Sequence, residues 1–153
     1  MLPILYGHFP GFNKITSSFG KRTSPTTGAS SNHQGIDIGA PKGTNILCIA
    51  DGVVVSTKFS GAGGFTVVVK HNNIYSSNYC HVDPTFLVSP NQKVYKGQII
   101  AKVGPKNVYG VPNNPYKDKN GNPTNGATTG SHLHFGVKKN GKFISPLSLY
   151  TNL

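Results

Sequence analysis

A chain of 153 residues has the length of one domain and can bury a single hydrophobic core without staples. Fifteen Lys and Arg stand against four acidic residues, a formal net charge of +11, and all four acids are aspartates. With no glutamate, a zinc protease with a glutamate base is excluded, and glycoside hydrolysis by paired carboxylates is poorly supported.

Nineteen glycines, eleven prolines and the lack of sustained helical periodicity predict an all-β domain of antiparallel sheets with long loops. No run reaches the ~18–20 apolar residues of a membrane-spanning helix. Met1 to Tyr6 lack the basic start and apolar stretch of a secretory signal. The positive charge draws the chain toward polyanions, nucleic acid or an anionic cell wall among them. Its basic residues are scattered, however, with only a mild cluster at Lys138, Lys139 and Lys142, and no nucleic-acid module accompanies them. A solvated basic surface explains them equally well.

In chain order, residues 1–16 read as an irregular lead-in carrying a lone His8, ahead of one domain over 17–153. His33-Gln34-Gly35-Ile36-Asp37-Ile38 follows a Ser/Thr/Gly loop; Gly35 argues against helix, so a turn feeding a short strand is expected. His33, Gly35 and Asp37 then share one side and the two isoleucines the other. Such an aspartate needs a partner or a metal, although an Asx-type turn accounts for it locally. Residues 45–50 and 52–59 read as two strands joined as a hairpin through Asp51-Gly52. Phe65 to Lys70 and Ile74 to Val82 are further strands, and His71 suits the turn between them. The second would place Tyr79 and His81 on one face and Cys80, with Val82, toward the core. Cys48 and Cys80 lack metal-type spacing and read first as buried free thiols, with a disulfide between them as the alternative.

Residues 105–127 are rich in Pro, Asn, Gly, Tyr and Lys with few aliphatics, a loop longer than compact domains usually hold. It leads into Ser131-His132-Leu133-His134-Phe135-Gly136-Val137, where alternation is strict. His132 and His134 share a face opposite Leu133, Phe135 and Val137. A bare His-x-His occurs on ordinary half-exposed strands, but three segments now offer His33 with Asp37, His81, and His132 with His134. That is enough for three zinc ligands with an open fourth position and two histidines to spare. A hairpin at Lys139-Asn140-Gly141-Lys142 closes the domain.

These residues resemble a known family, the lysostaphin-type (LytM-like) zinc endopeptidases that act on peptidoglycan. The matching stretches are His33-x-x-x-Asp37-Ile38-Gly39, Ala50-Asp51-Gly52-Val53-Val54, Tyr79-x-His81, Lys96-Gly97-Gln98 and Thr129-Gly130-Ser131-His132-Leu133-His134-Phe135. Ser18-Phe19-Gly20-x-Arg22 is similar to the family's opening. The resemblance implies a groove in a lysostaphin-type, barrel-sandwich-like fold, one zinc ion per chain held by His33, Asp37 and His134, and a catalytic pair of His132 and His81. In that reading His132 is the base and His81 donates to the oxyanion; Tyr79 lines the cleft, with packing an equal explanation for it. It further implies peptidoglycan peptides as substrate and a place of action that is extracellular, in the cell wall or on a phage virion. Anionic wall polymers fit the basic surface. A non-catalytic relative binding wall or partner protein through the groove is the alternative. Two departures stand out: the segment before Thr128 is longer than the family's, and Gly64-Phe65 replaces a more usual Gly-Asn.

Overall fold

A computed structural model describes residues 15–21 and 32–149 of the chain. The described residues form twelve strands: β1 (Ile15–Ser17), β2 (Gly20–Lys21), β3 (Asn32–His33), β4 (Ile36–Gly39), β5 (Asn45–Leu47), β6 (Gly52–Phe59), β7 (Phe65–Lys70), β8 (Tyr75–Cys80), β9 (Lys93–Val94), β10 (Ile99–Lys102), β11 (His132–Lys139) and β12 (Lys142–Ile144). Single 3-10 turns at Gly61–Gly63 and Pro146–Leu149 are the only helical elements among them. The all-β expectation is borne out. Most strands join one open antiparallel sheet in the order β1-β4-β11-β8-β7-β6-β9, with β12 added to β11; β5 pairs with β10 and β2 with β3.

β11 pairs with β4, β8 and β12, and its alternation decides the register. Leu133, Phe135 and Val137 are buried with Ile36, Ile38, Val67, Val69 and Tyr79 in one core. Each such side chain gains roughly 1.5–3 kcal/mol from burial, so a one-residue slip that exchanged them for imidazoles is strongly disfavoured. Asn140 and Gly141 both have positive φ, 52° and 79°, and close the β11–β12 hairpin as expected.

Several expectations require correction. Asp51-Gly52 does not close a hairpin: β5 leaves to pair with β10, while β6 pairs with β7 and β9. The Asp51 carboxylate instead accepts the Lys96 N–H at 2.8 Å. Residues 15 and 16, assigned to the lead-in, belong to β1 and the sheet; residues 1–14, and Arg22 of the opening motif, lie outside the described residues. The face assignment of β8 is inverted. His81 lies just beyond the strand at φ 60°, a turn conformation that breaks the two-residue alternation. Tyr79 therefore points into the core, fully buried and stacked on Phe135, while Cys80 lies against the cleft. Both cysteines are buried and free.

Candidate metal centre

Antiparallel pairing sets His134 opposite Asp37, with Leu133 and Phe135 opposite Ile38 and Ile36. The polar members face a cleft of about 720 Å³ and the apolar ones the core. His33 reaches the same point from β3, its ring fixed by the Ser18 carbonyl, which accepts the Nδ1–H at 2.8 Å. Gly35 makes the approach possible: a Cβ there would lie 2.5 Å from the Phe135 carbonyl oxygen and 2.8 Å from His134 Nε2.

His33 Nε2, Asp37 Oδ1 and His134 Nδ1 form a triangle with sides of 3.1, 3.0 and 3.0 Å. Ligands about 2.0–2.1 Å from a tetrahedral zinc lie about 3.3 Å apart, so the spacing suits that ion. Proton accounting points the same way. His33 has spent its N–H on Ser18, so its Nε2 lone pair faces a carboxylate oxygen and a second imidazole nitrogen. One proton on His134 cannot satisfy all three contacts, whereas a cation at the centroid does. Burial pushes the Asp37 carboxyl up, but the rings of His132, His134 and His33 outweigh it and hold the group well below the usual carboxylate range. Burial lowers His134 against the opposing pull of Asp37, favouring a neutral ring able to ligate. The residues fit zinc.

Two further imidazoles adjoin this triangle. His132 donates its Nδ1–H to the Gly130 carbonyl at 3.0 Å, and its Nε2 lies 3.5 Å from Asp37 Oδ1. His81 lies 4.7 Å from His132 between ring centroids. Its Nδ1 is 2.6 Å from the Asn125 carbonyl oxygen, which can only accept. Both rings therefore carry a proton on Nδ1. Burial, reinforced by His132, lowers His81 to about 3, so its ring is neutral near pH 7.

All five histidine and aspartate residues singled out in the sequence meet at this one cleft. Tyr79 does not: its hydroxyl accepts the Ile49 N–H at 3.1 Å and is bonded to Ser77 Oγ at 2.9 Å inside the core. The cleft residues that β8 does supply are Asn78 and Cys80, which strict alternation carried through His81 hides. His71 is remote, bridging the Asp51 carbonyl and Ser77. His8 lies outside the described residues. Asn125 was not anticipated at all; the one available signal is the Asn-Gly pair ending the long loop.

Residues 31–146 match the model of peptidase family M23. Peptidoglycan DD-endopeptidase ShyC of Vibrio cholerae is 31% identical over 136 residues, covering 88% of this chain and 27% of that protein. A zinc-containing peptidase from Vibrio cholerae superposes with a TM-score of 0.71 at 29% identity, over 94% of this chain and 39% of the other. The catalytic domain of lysostaphin from Staphylococcus simulans shares the fold, with a TM-score of 0.70 at 22% identity over 91% of this chain and 92% of that one. The chain spans 27–34% of the length of the first curated relatives it matches.

Proposed function

The chain belongs to peptidase family M23, and we propose that it is a zinc-dependent endopeptidase hydrolysing the peptide cross-links of bacterial peptidoglycan. The observation that carries the reading is the 3.0–3.1 Å triangle of His33 Nε2, Asp37 Oδ1 and His134 Nδ1 with two more imidazoles at its rim. In this reading those three residues hold one zinc ion per chain. The metal, when bound, supplies a Lewis acid that polarises a carbonyl and makes water more acidic near neutral pH.

The chain's own groups then move the proton. His132, with its Nδ1–H on the Gly130 carbonyl and its Nε2 beside the ligands, takes a proton from the attacking water and returns it to the departing amine. No carboxylate is needed as base, consistent with a chain that has no glutamate. His81 was expected to donate to the oxyanion. With its N–H spent on Asn125 the resting ring is an acceptor, and it donates only after taking up a proton. The neighbouring His132 adds to burial in lowering the affinity of His81 for a proton.

The substrate implies action in the cell wall, outside the cytoplasmic membrane. Among the described residues no helix is long and apolar enough to cross a membrane. The excess of fifteen basic over four acidic residues supports loose attraction to anionic wall polymers. The test is to incubate purified, zinc-loaded protein with isolated cell walls and follow released peptides by mass spectrometry. Shortened cross-links that vanish with a chelator and return with zinc support the proposal; walls left intact by protein carrying one zinc reject it.

A further inference from the structure

The segment 105–127 ends in a residue that is fully buried although its surroundings are polar. Asn125 has no exposed surface, and every polar atom it carries is engaged. Its N–H donates to the Lys106 carbonyl at 2.8 Å, its Oδ1 accepts the Phe65 N–H at 2.8 Å, and its Nδ2 donates to the Val82 carbonyl at 2.9 Å. Its own carbonyl accepts His81 Nδ1–H at 2.6 Å. His81 is gripped from both sides as well: its N–H donates to the Gly63 carbonyl at 2.8 Å, and its carbonyl accepts the Gly104 N–H at 3.0 Å. Gly64, at φ 63°, lies against Asn125 so closely that a Cβ would collide with the Asn125 carbonyl and amide oxygens. At the Gly64-Phe65 departure, Phe65 meets Asn125 through its backbone N–H while its ring packs on Phe59 and Phe86.

We infer that Asn125 is the positioning residue for His81, fixing which ring nitrogen holds the proton and which faces the cleft. A backbone carbonyl cannot donate, so the ring on it must carry its proton on Nδ1 and leave the Nε2 lone pair outward. The carbonyl stays in place because the side chain of the same residue is bolted to two neighbouring backbone segments, at Phe65 and Val82. Removing the side chain leaves two buried backbone groups without partners and frees the loop end to move. The long segment is then more than an insertion: its last turn completes the far side of the cleft. The catalytic meaning of this arrangement rests on the role proposed above for His81; the tautomer itself does not.

Long-range nitrogen–proton correlation spectra of the imidazoles, recorded on the zinc-loaded chain above pH 7, read the tautomer directly. In the unaltered protein His81 shows a protonated Nδ1 and a bare Nε2; the opposite pattern there overturns the inference without any variant. Asn125→Ala converts a substantial fraction of His81 to the Nε2–H form and lowers kcat about 10–100-fold, the usual cost of losing an outer-shell partner, with KM within about threefold. Asn114→Ala is the comparison, since it removes two hydrogen bonds of the same segment, to Thr124 and Tyr116, and none to His81. It keeps the Nδ1–H form. If Asn125→Ala also keeps it, or Asn114→Ala loses it equally, Asn125 is merely structural. A protein that shows the expected tautomer yet cuts no cross-link refutes the proposed function and leaves this inference standing.

Discussion

On one side of the cleft His33, Asp37 and His134 hang from short paired strands, with His134 set directly opposite Asp37 by the β4–β11 register. On the other side His81 sits past the end of its strand at φ 60°, and its ring is held by the Asn125 carbonyl of a 23-residue segment with little regular structure. The first half inherits its precision from the hydrophobic core, because the burial of Leu133 and Phe135 fixes where the polar faces go. Hydrogen-bond closure alone fixes the second half. One half therefore tolerates loop change and fails on register; the other does the reverse.

Removing a proposed zinc ligand is the harshest way to break the first half. Asp37→Ala, which deletes the anion shared by the triangle, is expected to lower zinc content from one per chain to near none and turnover by at least ~10³-fold, the scale of losing several kcal/mol of transition-state stabilisation. Metal analysis beside a cross-link cleavage assay checks both. His132→Ala separates ligation from chemistry: zinc stays at one per chain while turnover drops about 10²–10⁴-fold. Full turnover in that variant would rule out the assigned base. Gly35→Ala touches no functional atom, but its Cβ would meet the Phe135 carbonyl and the His134 ring at 2.5 and 2.8 Å. A loss of about 10–100-fold in zinc affinity, measured by competition with a chelating dye, is expected from shifting His134 alone.

The contrast is sharpened by pH. His81 is held by burial near 3 in the folded chain against 6.5 when free, so between those values the unfolded chain binds the extra proton. Stability is thus complete above about pH 6.5 and falls as pH drops through that window. Burial lowers His71 in the same direction. Cys80, raised by burial to about 11 from 9.0, acts at the other end: the unfolded thiol ionises first, and stability falls as pH rises from 9 toward 11. Thermal unfolding midpoints measured against pH should form a plateau between these limits. Burial raises the Cys48 thiol in the same direction, so Cys80→Ser should shrink the alkaline limb and leave the acid one; an unchanged alkaline limb would refute the assignment to Cys80.

The two halves were also unequally legible. His33, Asp37, His132 and His134 could be placed from spacing because period-two alternation against Ile36, Ile38, Leu133 and Phe135 survives folding intact. A family resemblance then assigned their roles. Alternation failed at Tyr79-Cys80-His81, since nothing local announces that a histidine will adopt positive φ; the Gly63 and Gly104 backbones that hold it there are distant in sequence. The Asp51-Gly52 turn misled in a similar way, because turn chemistry says that the chain reverses but not which strand it will meet. Asn125 was invisible because its partners, at 65, 81, 82 and 106, converge only in three dimensions.

The smallest catalytic effect is expected at the residue whose place changed most between sequence and structure. Tyr79 is two positions from His81, yet its hydroxyl accepts the buried Ile49 N–H and bonds Ser77, which continues to His71 and the Asp51 carbonyl. None of these groups reaches the cleft. Tyr79→Phe keeps the ring stacked on Phe135 and deletes only the oxygen, leaving a buried N–H unpaired at a cost of about 1–3 kcal/mol. Denaturant unfolding should report that loss, while zinc content and kcat/KM stay within about twofold of the unaltered chain. A tenfold fall in kcat/KM at constant zinc would return Tyr79 to the cleft and erase the boundary between a half built by the core and a half built by the loop.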